Sequence, residues 1–179
     1  MKVSNGLVRA SRIMAWLSIA GAVIGPVVVT LCFLFPDATR VLDIHFGHLG
    51  AELTDAVPIE YRAMAMLCAL VPAAVGSWGL IALARLFRCY VVGEVFSGRA
   101  LHALSQVTAA LFWNVLAAFV MQAPISILLT WYLGHGHRQV SLSLGSDDAQ
   151  VLFVAGVTFV IARVMAEARR IADENEGFV

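Results

Sequence analysis

Charge is what this chain has least of. Only 13% of its 179 residues are charged and 60% are hydrophobic. A soluble globular domain runs at about 25% charged and about 45–50% apolar. Asp, Glu, Lys and Arg are missing altogether from residues 13–35, 63–84 and 107–133, and from a shorter run at 149–162. The scarcity excludes an ordinary soluble domain. Formal net charge is zero, so no basic surface is offered to nucleic acid and direct nucleic-acid binding is excluded. Three cysteines cannot make a complete disulfide framework. Cys32 and Cys68 lie within apolar runs and Cys89 follows the second, the pattern of small buried or interfacial thiols. No Ser-His-Asp arrangement, phosphate loop or catalytic Cys-His pair is found. The reading is of a protein that is not an enzyme and carries no cofactor.

The apolar runs are the length that lipid requires. A hydrocarbon core of about 30 Å needs roughly 20 apolar residues in a helix. Four spans are expected, over about 13–35, 61–84, 107–133 and 148–166. Between them lie outer loops at 36–60 and 134–147, an inner loop at 85–106, and a tail at 167–179. The fourth run is short, so its helix must continue past Arg163, whose side chain then snorkels to the headgroups. The first run follows Lys2, Arg9 and Arg12 as a signal peptide would, but it exceeds an h-region of about 7–15 residues and no small-x-small site follows. It reads as a retained span. The fold class is all-α, an integral membrane antiparallel four-helix bundle.

Basic residues orient such a bundle. Lys2, Arg9, Arg12, Arg85, Arg88, Arg99, Arg163, Arg169 and Arg170 fall on one side. Arg40, Arg62 and Arg138 fall on the other. The basic side is cytoplasmic under that rule, so both termini are expected in the cytoplasm. Phe33, Phe35, Tyr61, Trp131 and Tyr132 fall where an outer aromatic belt is expected, and Trp16 and Phe87 near an inner one. Pro26, Pro72 and Pro124 lie inside the first three spans, tolerable where neighbouring groups satisfy the freed carbonyls. Pro58 suits the first position of the second helix. Asp147 and Gln150 have the spacing of a capping box for the fourth.

Few residues suggest chemistry. His45, His48, His135 and His137 all fall on the outer side, and imidazoles from two loops can converge on Zn or Cu. No cysteine or H-E-x-x-H pattern reinforces them, and exposed histidines are the simpler reading. Asn114 and Gln122 lie on one face of the third span, eight residues apart. Such groups join helices by hydrogen bonds, whereas a transport pathway usually shows ionisable residues at mid-depth, and here there are none. Gly21 and Gly25 form a G-x-x-x-G, which serves packing inside the bundle or a homo-oligomer equally well. Gly93 is placed to end the helix leaving the second span. Ser97 can cap a new turn, with Leu101, Leu104 and Val107 on one side of an interfacial approach helix. Arg169/Asp173 and Arg170/Glu174 are i,i+4 pairs in the tail, in the weaker order of base before acid. Asp173, Glu174 and Glu176 also oppose the helix dipole at that end, which a solvated tail or a binding partner would explain.

Three stretches resemble a known group. They are Leu86-Phe87-Arg88-x-Tyr90-x-x-Gly93-Glu94-Val95-Phe96-Ser97, Val140-Ser141-Leu142-Ser143-Leu144-Gly145-Ser146, and Glu167 through Asp173-Glu174-Asn175-Glu176-Gly177-Phe178-Val179. The chain is similar there to the bacterial four-span membrane proteins of the domain-of-unknown-function 2975 family. It departs at Val91-Val92, where members carry a basic or polar pair, and at Gly177-Phe178, where Leu-Thr is usual. The resemblance implies a multi-pass protein of the bacterial cytoplasmic (inner) membrane with unassigned biochemistry. Genes of the family often neighbour small helix-turn-helix regulators. That implies a regulatory or interaction role with such a partner, docked on Gly93, Glu94, Phe96, Asp173, Glu174, Asn175 and Phe178. A small oligomeric transporter or channel is the alternative, and an outer-face metal sensor built on the four histidines is the third.

Overall fold

The computed structural model describes residues 5–35, 57–94, 97–131, 142 and 145–176. Four α-helices account for nearly all of them: α1 Asn5–Leu34, α2 Ile59–Val92, α3 Gly98–Thr130 and α4 Ser146–Glu176. Each is long and apolar enough to cross a membrane. With 30 to 34 residues apiece, they run about 45–51 Å at about 1.5 Å per residue. That exceeds the hydrocarbon thickness by several turns. The protein is therefore a multi-pass membrane protein whose helices continue beyond the apolar zone.

Successive helices are antiparallel neighbours. The main packing runs α1 on α2, α2 on α3, and α3 on α4. Two apolar clusters close the ends. At one end Phe33 of α1, Val57 before α2, Ala65 of α2, and Ile125 and Leu129 of α3 are buried together. At the other, Leu86 of α2 meets Ala100, Ala103 and Leu104 of α3, with Ala162 and Met165 of α4 against them. This second end carries Arg12, Arg88, Arg99 and Arg169 and is called the basic end below. Much of the outer surface is apolar, including Phe153, Val157, Val160 and Val164 along α4. In lipid such surface carries no penalty, and association must come from close packing and hydrogen bonds.

Close packing is strongest between α2 and α3. A Cβ built on Gly79 would lie 2.8 Å from Ala110 Cβ, and one on Gly76 would lie 3.2 Å from Asn114 Nδ2. Gly76 and Gly79 are one turn apart and face α3 together. The α1–α2 contact is held by a different device. Pro26 has no N–H to give to the carbonyl four residues back, which is that of Ala22. Ser77 Oγ of α2 donates to that oxygen at 2.8 Å. It also lies 3.0 Å from its own Ala73 carbonyl. The neighbouring helix thus replaces the bond that the proline removes.

Several local expectations are revised. Phe33 is buried in the end cluster, with 5% of its surface exposed, and is no belt residue; Phe35 and Trp131 stay exposed. Pro58 is the residue before α2, not its first turn. The cap of α4 is displaced from Asp147/Gln150. Gly145 N–H donates to Asp148 Oδ2 at 3.0 Å, the back-reaching half of a capping box two residues earlier. The approach helix is not a separate interfacial element but the first turns of a continuous α3. Leu104 points into the basic-end cluster, so burial against α2 and α4 replaces burial in headgroups.

Candidate functional site

The candidate site is the basic end, where the turn between α2 and α3 meets the end of α4. Gly93 ends α2 in the left-handed conformation, with φ 86°. Its N–H donates to the Tyr90 carbonyl at 3.1 Å, and Glu94 N–H reaches the Cys89 carbonyl at 3.0 Å. This pair of bonds is a Schellman ending, and it needs a residue without a Cβ at Gly93. Four residues later Ser97 starts α3, its Oγ accepting from Ala100 N–H at 3.2 Å. Across the turn Arg99 Nη2 donates to both Glu94 oxygens, at 2.8 and 2.9 Å. That pair is largely exposed and adds little to stability. Its use is to hold the turn in one shape. Replacing Ser97 by alanine is expected to cost about 1 kcal/mol. The expected readout is faster amide hydrogen exchange in the first turn of α3, with the rest of α3 unchanged.

The tail is tied to this turn. A Cβ built on Gly98 would lie 2.6 Å from Arg169 Nη1, so the α4 guanidinium rests on the bare first residue of α3. Beneath it Ala162 and Met165 pack on the cluster of Leu86, Ala100, Ala103 and Leu104. Arg163 turns away, its guanidinium 5.3 Å from the Phe159 ring centroid. In the last turns Arg170 Nη2 donates to Glu167 Oε1 at 2.7 Å, and its Nε lies 3.6 Å from Glu174 Oε1. One cation between two carboxylates offsets the mismatch of acid with the helix dipole. On the adjoining face Arg85 Nη1 reaches Gln106 Oε1 at 3.5 Å, joining α2 to α3.

Of the expected docking residues, Gly93 and Glu94 lie in the turn and Glu174 lies on the end of α4. Phe96 and Phe178 lie outside the described residues, as do the side chains of Asp173 and Asn175. So do His45, His48, His135 and His137. Among the described residues no group of three or more His, Cys, Asp and Glu could hold a metal ion. Asn114 is a helix tie: its Nδ2 donates to the Pro72 carbonyl of α2 at 2.8 Å. Gln122 is half-buried on the same helix. Gly21 is engaged within the chain, where a Cβ would meet Leu80 Cδ1 at 3.3 Å, whereas Gly25 faces open space.

Residues that sequence reasoning passed over are Gly76, Gly79 and Ser77. Their signal was present as a G-x-x-G around a lone serine in the second span. It was outweighed by the longer G-x-x-x-G of the first.

A family model described as a protein of unknown function, DUF2975, matches residues 48–178. The chain belongs to the DUF2975 family. The matched stretch holds α2, α3 and α4, together with both parts of the basic-end site, and leaves α1 outside it. No curated protein and no solved structure matches the chain.

Proposed function

We propose that this DUF2975 protein is a non-catalytic regulatory or interaction protein of the bacterial inner membrane. Its basic end faces the cytoplasm and docks a cytoplasmic partner such as a small helix-turn-helix regulator. One observation carries the reading. The turn after α2 and the end of α4, far apart in sequence, form a single surface through Arg169 on Gly98 and the cluster beneath them. That surface is held by a Schellman ending, a serine cap and ion pairs. A chain segment without a task at the membrane needs none of this. The polar groups at mid-depth support the same reading against a transporter: Asn114 and Ser77 are spent on joining helices.

The test is co-purification of a small helix-turn-helix regulator co-expressed with the chain. Wild type is compared with a chain ending at Arg170, which keeps Met165 and Arg169 but loses the acidic last turns. Recovery is expected to fall by about tenfold or more, corresponding to at least about 1.4 kcal/mol of binding. Equal recovery from both chains, or none from either, would reject the proposal.

A further inference from the structure

A second feature of the basic end is independent of the turn and tail. A cleft of about 430 Å³ opens between the start of α1 and the end of α2, lined by Arg12, Trp16, Ile19, Arg88, Val91 and Val92 among others. Two arginines share it with an apolar wall.

Its depth follows from helix geometry. Phe33 lies in the cluster at the opposite end. Arg12 is 21 residues earlier in the same helix, or about 31 Å at about 1.5 Å per residue. That distance is about the thickness of the hydrocarbon core. Arg12 therefore sits where the acyl region gives way to headgroups, and the shared cleft puts Arg88 at the same level. Trp16, 68% exposed, is one turn deeper, the level at which amphipathic rings favour the interface.

Charge identifies the occupant. Among the described residues neither Arg12 nor Arg88 has an acidic partner. Glu94, in the turn just after α2, is engaged by Arg99, and Glu167 and Glu174 share Arg170. Two arginines lining one cleft suit a phosphate, whose oxygens accept paired N–H bonds from guanidinium in fixed geometry. A free phosphate would use only the arginines. A phospholipid also covers Ile19, Val91 and Val92 with its glycerol and first methylenes, removing apolar surface from the wet headgroup layer.

We propose that this cleft binds the phosphate of an anionic glycerophospholipid, with Arg12 and Arg88 on the phosphate and Trp16, Ile19, Val91 and Val92 along the glycerol and upper acyl chains. The site would fix the start of α1 to the end of α2 from outside.

The experiment uses the full chain in detergent micelles containing equal phosphatidylglycerol and phosphatidylcholine. Retained lipid is measured by mass spectrometry after washing with or without an excess of inorganic phosphate. Wild type is compared with Arg12→Gln/Arg88→Gln and with Arg9→Gln/Arg163→Gln, which removes the same charge elsewhere at the basic end. Each variant is checked for wild-type helical circular dichroism and elution. Wild type is expected to retain phosphatidylglycerol preferentially. The cleft variant should lose that preference by roughly tenfold or more, and the remote variant by less than about threefold, because a basic residue merely near the surface contributes only a small general attraction. The phosphate wash should leave the lipid in place. Equal retention of the two lipids by wild type overturns the proposal, as does a preference unchanged in the cleft variant. Displacement by inorganic phosphate overturns the lipid assignment in favour of a free-phosphate site.

Discussion

Replacing Gly79 by leucine is expected to destabilise the bundle by about 1–3 kcal/mol, the usual cost of forcing side-chain volume into a packed contact. A Cβ at this position already lies 2.8 Å from Ala110 Cβ, against about 3.5–4.0 Å for carbons at rest. The helices must move apart to admit it. Separation then loosens Asn114 from the Pro72 carbonyl, which leaves polar groups unpaired where no water replaces the bond. Unfolding in mixed detergent micelles, followed by circular dichroism as the denaturing detergent is raised, measures the loss. Gly25→Leu is the control. Gly25 faces open space, and its substitution should stay within about 0.5 kcal/mol of wild type. Equal effects from the two substitutions would mean that the α2–α3 contact is not the tight one.

The second large effect is conditional. Ser77→Ala should cost about 1–2 kcal/mol, because the Ala22 carbonyl loses its donor from α2 and Pro26 supplies none from within α1. Interhelical bonds in membranes more often contribute about 0.6 kcal/mol. The larger figure is expected because here the acceptor has no other strong donor. That reason is testable by a double-mutant cycle. In a Pro26→Ala background residue 26 regains an N–H for the Ala22 carbonyl, and the cost of losing the Ser77 hydroxyl should fall below about 0.5 kcal/mol. A Ser77 effect of the same size in both backgrounds would show that the hydroxyl acts through its own helix and the Ala73 carbonyl.

These two sites mark where the reading of the sequence stopped. Four spans were legible because a charge in hydrocarbon costs several kcal/mol, so their boundaries are written in the positions of Arg, Lys, Asp and Glu. Gly93 and Ser97 were legible because a left-handed helix ending and a serine cap depend on local backbone alone, and the structure has both. Asn114 was legible as a helix tie because an amide at mid-depth has few other fates. Phe33 was misplaced. A belt ring and a core ring have the same composition, and only the arrival of Val57, Ile125 and Leu129 around it distinguishes them. The capping box moved two residues for a related reason. Asp147 and Asp148 are both acceptable acids, and the choice between them falls to where the chain enters α4.

By itself, then, the sequence determined the solvent, the number of spans, the all-α class and the helix ends at Gly93 and Ser97, because each follows from the transfer cost or backbone preference of residues close together in the chain. Only the tertiary structure decided which glycines touch a neighbour, whose hydroxyl answers the proline in α1, and which two arginines share a cleft. It also set Arg169 of α4 on Gly98 of α3, joining turn and tail. Those outcomes depend on the rotation of one helix against another. Where lipid is as apolar as the side chains, hydrophobicity does not select that rotation, and a few close contacts and hydrogen bonds do.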